Sequence, residues 1–346
     1  MLQLQNNTPY QAERAAVVDK DGNQVWVVVV KATYVVTDDG GTKLAPEQEP
    51  VCRAPRYAGE PGQSSLLREA ELIPEHPGTD VTVLGTAHAP GGQPIATLSV
   101  SVSVGPVRKV LRVTGDRVWA KGVLSPRMTE PASFVTMPIT YERAYGGTSG
   151  PASGVPERDP RNPIGTGFAS RAEWLVGRAL PNIEDPEALI ERWDSRPSPA
   201  GLGPIPADWS PRLERAGTFD AQWGRTRMPL LPTDYDARHA QSAHPDLLAA
   251  EALRGGEMAV LENLTPNSRW SFRIPRAYLA LTTVTRTGRV HQAAQLDRVI
   301  IEPDSRTVCT VWRAALNCRA RVRDVIRTVV DTKRLVRWQA EREASS

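Results

Sequence analysis

The sequence predicts a mainly β chain with some α (α+β). Antiparallel sheets form a sandwich or open barrel, with a long ordered Pro/Gly/Trp-rich excursion and a C-terminal amphipathic helix. Three observations carry this. Val25 to Val36 is a β-branched run too rich in valine to favour a helix. Leu98, Val100, Val102 and Val104 alternate with Thr97, Ser99, Ser101 and Ser103, the pattern of a half-buried strand. Between Ser125 and Pro232 stand sixteen prolines and eleven glycines with four tryptophans, Trp174, Trp193, Trp209 and Trp223. Proline and glycine alone would leave that stretch disordered. The tryptophans, with Phe134, Tyr141, Tyr145, Phe168 and Phe219, each bury a large apolar area and tie loops to a core.

The remaining elements follow in order. The apolar start of the valine run indicates a strand covered on both faces. Asp80 to His88 reads as the next strand, with Ala89-Pro90-Gly91-Gly92 as its turn. Gly105-Pro106 returns the alternating strand into Lys109–Val113. Near the C-terminus the candidate strands are Met258–Leu264, Trp270–Ile274, Ala277–Val284, Arg289–Gln295, Val299–Glu302 and Thr307–Ala314. Thr287-Gly288 and Pro303-Asp304-Ser305 read as turns. Either these strands complete the first sheet or they form another. Three helices are expected. Asp185-Pro186 caps one running to Trp193. A second spans Pro245 to Leu253, stopped by Gly255-Gly256. The third follows the stripe Val322, Val325, Ile326, Val329, Val330. The organisation read from this is an N-terminal β region (1–124), a loop-rich middle with short helices (125–256) and a C-terminal β region plus helix (257–346), joined as one compact unit.

Composition narrows the function. Hydrophobic residues at 40% and charged residues at 23% are ordinary for a chain that buries a core. The net charge of +3 is spread along the chain, without the concentrated basic face that nucleic acid requires. From Arg319 to Ser346, eight basic residues face four acidic ones, making that segment +4 and the rest −1. It reads as a solvated helix face. Three cysteines, Cys52, Cys309 and Cys318, without C-x-x-C point to buried thiols in a reducing compartment. No basic start with an apolar run opens the sequence and no stretch approaches a membrane span, so a cytoplasmic location without membrane insertion is expected.

The motif search points away from catalysis. No phosphate loop, H-E-x-x-H, G-x-S-x-G or S-x-x-K occurs. Gly165-Thr166-Gly167 lacks the third glycine of a dinucleotide loop. Asp234, Asp236, His239 and His244 are suitable metal ligands at a spacing that matches no standard site, and no metal or cofactor is expected. Glu142 with Asp208 or Asp220 is the carboxylate pair a hydrolase would use. Glu142-Arg143 and Asp159-Pro160-Arg161 are better read as ion-paired loop anchors.

A set of motifs carries a family resemblance: GEPGQSSL (59–66), GTAHAPGGQP (85–94), VGPVRKVLRVTGDRVW (104–119), MPITYERAYGG (137–147), DPRNPIGTGF (159–168), GLGPIPADWSPR (201–212), GTFDAQWGRTRMPLLPTDYD (217–236) and LDRVIIEPDSRTVCTVWRA (296–314). In this order they resemble the bacterial domain-of-unknown-function 2169 family. The resemblance implies a non-enzymatic adaptor or chaperone of type VI secretion. Such a protein binds a toxic effector and loads it onto the spike protein VgrG and its PAAR-like tip. The chain departs from the family pattern around His239 and His244, where the family more often carries apolar residues. The resemblance transfers no contact residues. By residue type, Tyr141, Arg143, Tyr145, Arg161, Trp209, Trp223 and Arg225 are the expected partner-binding positions, because Trp, Tyr and Arg dominate interface energetics. The alternatives from other classes are a hydrolase using the middle-region carboxylates and a glycan-binding or baseplate-like module presenting its tryptophans as a platform.

Overall fold

The computed structural model describes residues 2–150 and 155–332. Lys333, Arg334, Arg337 and Arg342 of the basic C-terminal stretch lie outside the described residues. In chain order the main strands begin with β1 (Gln3–Asn6), β2 (Gln11–Val18), β3 (Gln24–Val36), β4 (Thr42–Leu44) and β5 (Thr79–Val83). Next come β6 (Thr97–Val104), β7 (Val107–Thr114), β8 (Ile183–Glu184), β9 (Leu248–Ala249), β10 (Met258–Glu262) and β11 (Arg269–Arg273). The last are β12 (Ala280–Thr285), β13 (Gly288–Ala293), β14 (Gln295–Glu302), β15 (Thr307–Arg319) and β16 (Val325–Asp331).

These strands form three open sheets. The largest runs β9-β5-β14-β15-β3-β2, with β4 also on β3. The second runs β8-β7-β6-β10-β11 and the third β1-β16-β12-β13. C-terminal strands thus both extend the N-terminal sheets and build a new one. Most pairings are antiparallel, as the sequence predicts, but β5–β14 and β1–β16 are parallel. The inward faces of all three sheets share one core, including Trp26, Val28 and Val30 of β3, Val100 and Val102 of β6, and Leu281 and Val330 of the third sheet.

β3 is buried from Val25 to Tyr34, which explains its unbroken apolar run. Its other face, Val25, Val27 and Val29, packs with Ile300, Cys309 and Val311 under Val51 and Leu72. The alternation in β6 is realised, with Leu98, Val100, Val102 and Val104 all buried. Asp80–His88 is two strands rather than one. The chain leaves the large sheet after Val83, and Thr86–His88 pairs instead with Thr136–Pro138.

All three expected helices are corrected. Asp185 does cap a turn, accepting from Glu187 N at 3.0 Å. The turn stops because the buried Glu184 carboxylate takes Ile190 N at 3.0 Å and Ile190 enters a local core. Pro245–Leu247 makes a single 3-10 turn, after which Leu248–Ala249 pairs with β5. Of the C-terminal stripe, Val322 lies in a 3-10 turn and the other four residues in strand β16, paired with β12 and β1. Its β-branched residues favour this pairing over a helix. The one α-helix among the described residues, α1 (Ala221–Thr226), lies where no helix is predicted. Among the described residues, no helix is long and apolar enough to cross a membrane.

Candidate interaction site

The Pro/Gly/Trp-rich excursion is ordered by side chains rather than by regular structure. Tyr141-Glu142-Arg143 forms one 3-10 turn. The Glu142 carboxylate accepts from Ser65 N at 2.7 Å and Ser65 Oγ at 2.6 Å. Burial pushes this carboxyl up, but these hydrogen bonds hold it below its ordinary value. Tyr141 is buried, donates its hydroxyl to Gly203 O and meets the Trp209 ring edge-on, centroids 5.7 Å apart. Asn162 Nδ2 ties the carbonyls of Tyr141 and Tyr145 together at 2.7 and 3.0 Å. The Arg161 guanidinium lies over the Tyr145 ring and grips Asp159 through two bonds of 3.0 and 2.7 Å. Arg143 donates to Asn182 Oδ1 at 2.9 Å. Trp119, Tyr145, Leu175, Leu180 and Ile190 make a small core, against which Phe168, Trp174 and Trp193 pack.

Five of the seven predicted contact residues therefore serve the excursion itself. Tyr141, Tyr145 and Trp209 are buried, and Arg143 and Arg161 are half-exposed and engaged internally. The other two, Trp223 and Arg225, stand together on α1, in a flap formed by residues 217–235.

The flap is closed at its base by Asp234, which accepts from Thr218 N at 3.0 Å and Thr218 Oγ1 at 2.7 Å. Gly217 is required there: its φ is +84°, and a Cβ would come within 2.8 Å of Pro232. The Asp220 side chain caps α1 by accepting from Trp223 N at 2.7 Å. The Trp223 indole donates to Leu230 O at 2.9 Å, and its ring meets Phe219 at 4.8 Å. Arg227 fastens the flap to the β2–β3 turn, donating to Leu231 O at 2.9 Å and Lys20 O at 2.5 Å. Leu230 closes the seam by packing on Gly22.

What the flap leaves outward is apolar and cationic. Phe219 is 54% exposed and Met228 67%, with Arg225 exposed beside the half-buried Trp223. A groove of about 410 Å³ runs between Thr218, Gln222, Trp223, Thr226 and Pro232. Aromatic, methionine and arginine side chains held on a fixed frame are the composition of an interface centre. Phe219 was legible as an aromatic anchor but not as exposed; Met228 carried no signal of its own.

Most of the carboxylates and imidazoles singled out in the middle region are likewise engaged, whereas Asp208 is exposed and makes no side-chain hydrogen bond or ion pair among the described residues. Asp236 caps the 3-10 turn Ala237–Ala240 and pairs with Arg238. His239 packs on the Tyr235 ring at 5.7 Å, its pKa lowered by burial and by Arg212. His244 Nδ1 accepts from Asp246 N at 3.3 Å. Burial, with Lys109 beside it, brings this imidazole down to about 4. Among the described residues no group of three or more His, Cys, Asp or Glu is disposed to hold a metal ion.

A family model described as an uncharacterized protein conserved in bacteria (DUF2169) matches residues 21–313. The chain belongs to the DUF2169 family. The match begins in the β2–β3 turn, ends within β15 and includes the whole flap, so this DUF2169 chain carries its outward apolar residues inside the family's span. No curated protein and no solved structure matched.

Proposed function

We propose that this chain is a non-enzymatic, cytoplasmic adaptor of type VI secretion that binds an effector and loads it onto the VgrG/PAAR spike. The flap is the observation that carries this reading. It is a small, internally braced platform whose outward residues, Phe219, Trp223, Arg225 and Met228, match the chemistry of a protein-binding centre. Its bracing lowers the entropy lost on binding. The outer edge of β2 supports the same reading, because no strand among the described residues pairs with it. Such an edge accepts an extended segment from another protein. The carboxylates a hydrolase would use favour it less: Glu142, common to both candidate pairs, is bound by Ser65, Asp220 caps α1, and Asp208 is exposed.

The test is co-purification of the full chain with an effector and a spike protein encoded beside it. A stable complex is expected, weakened at least about tenfold by the double variant Phe219→Ala/Met228→Ala. No complex at any salt concentration with either protein rejects the adaptor reading.

A further inference from the structure

Beside the flap lies a cavity of about 180 Å³. Its walls come from five separate segments: the β2–β3 turn, residues 69–75, Ala207 with Arg212, the flap with Tyr235, and His239 with Ala240, all meeting Arg298 of β14. An engineered apolar cavity of about 150 Å³ admits benzene, so the space suits a ring-sized group. Ile73, Pro74, Leu231 and the packed Tyr235–His239 rings give it an apolar lining.

The charges around it are unevenly committed. Asp19 is spent on its own turn, accepting from Asp21 N, Asn23 N and Asn23 Nδ2. Glu69 binds Arg212 Nη1 at 2.6 Å and Ala70 N at 2.8 Å. Arg298, only 4% exposed, forms no ion pair among the described residues. Its Nη atoms donate to the carbonyls of Glu69, Ala70 and Ala240, all wall residues, and its buried Nε has no partner. Asp80 and Asp297 lie within electrostatic reach but hold His76 and Arg313 respectively. Lys20, in the wall, also forms no ion pair among the described residues. Against these two uncommitted cations stands one uncommitted carboxylate, the exposed Glu75. Arg298 thus shares the charge of Asp80 and Asp297 with His76 and Arg313 and has no carboxylate bound to it directly, so an anion in the cavity would add counter-charge.

We propose that this cavity binds a small organic carboxylate with a ring-sized apolar body, its carboxylate toward Arg298 and Lys20 and its ring against Leu231, Tyr235 and His239. Two sources offer this chemistry: a free aromatic acid, or the C-terminal aromatic residue of a protein. The site is independent of the flap's outward surface.

The experiment is calorimetric titration of the full chain with benzoate and with neutral benzamide. A Tripeptide ending in phenylalanine, as free acid and as amide, forms the second arm. Benzoate or the free-acid peptide is expected to bind at least about tenfold tighter than its neutral counterpart. Lys20→Met and the space-filling Ala207→Leu, each checked for an unchanged melting transition, are expected to weaken binding by at least about fivefold. The tighter of the two acids identifies the source. Equal binding of acid and neutral forms, binding indifferent to both variants, or no binding at millimolar concentration overturns the proposal. Because no effector is involved, these outcomes leave the adaptor reading to its own test.

Discussion

Lys31 Nζ lies 2.8 Å from Glu71 Oε1, and both side chains are sealed from solvent. Lys31 sits in the middle of β3, on the face where Val27 and Val29 pack, so a charge occupies the centre of an apolar run. Glu71 also accepts from Cys52 N at 2.7 Å, and Lys31 reaches Glu49 at 3.4 Å. Glu49 in turn binds Arg68, which binds Glu302 of β14. This chain of charges pins residues 45–72 across the back of the large sheet.

Breaking the pair leaves a buried charge without its partner. Lys31→Met is expected to cost about 3–5 kcal/mol of unfolding free energy. Urea denaturation followed by tryptophan fluorescence measures it. A change below about 1 kcal/mol shows that the pair does not hold the strap.

The same network makes stability depend on acid. Burial pushes the Glu49 carboxyl up, but the Arg68 hydrogen bond and the Lys31 charge outweigh it and hold it at about 2. Asp80, raised by burial, is brought to about 2 by His76. A depressed folded-state pKa gives stability that is present above the unfolded value, ~4, and lost as pH falls toward 2. His244, held at about 4, adds an earlier loss between pH ~6.5 and 4, because the unfolded chain takes the proton first. Asp297, raised by burial, works in the opposite sense. The urea midpoint is therefore expected to fall from pH 6.5 downward, most steeply below pH ~5. Glu49→Gln should flatten the lower part of the curve, and an unchanged slope there rejects the assignment.

The third sheet is keyed to the core by one hydroxyl. Thr328 Oγ1 accepts from the Trp26 indole at 2.9 Å and contacts Thr283 Oγ1 at 2.9 Å. Thr328→Val keeps the shape and leaves both partners buried without a bond. A loss of about 1–3 kcal/mol is expected, seen as a lower melting temperature and an altered near-ultraviolet tryptophan signal. Thr328→Ser should keep the bonds and recover part of the loss.

The outward flap residues should behave in the opposite way. Phe219→Ala and Met228→Ala are expected to change stability by less than about 1 kcal/mol. Trp209→Ala, which empties a buried site beneath Tyr141, is expected to cost about 3–5 kcal/mol. Parallel thermal melts of the three variants decide this. A Phe219→Ala variant as unstable as Trp209→Ala would make the flap part of the core rather than a platform.

The strands were legible where apolar residues follow period two, as in β6, or where both faces are covered, as in β3. The C-terminal stripe misled because of a register shift. Val284 pairs with Arg327 and Thr285 with Val325, so Ile326 is an extra residue in the pairing. Burial then falls on Val325, Thr328 and Val330, and the interrupted alternation imitates helical spacing. Only the valine content argued for a strand. Trp223 and Arg225 carry residue types common at interfaces, and the structure places both on α1. Tyr141, Tyr145 and Trp209 look identical by type, and only their packing against Gly201, Arg161 and Tyr141 separates anchor from surface. The cavity left no trace in the sequence, because its wall is assembled from distant segments.

The pairing of β3 with β15 sets the order in which this protein can be made. Thr33 and Cys309 meet in the centre of the large sheet, 276 residues apart in the chain. During synthesis the valine run of β3 leaves the ribosome with only β2 and the short β4 available as sheet neighbours, both on one edge. Its other edge stays open until nearly all of the described chain has been translated. A nascent segment of that composition is prone to pair with copies of itself. Slower translation or a lower expression temperature should therefore raise the soluble yield, while changes confined to the finished surface should not.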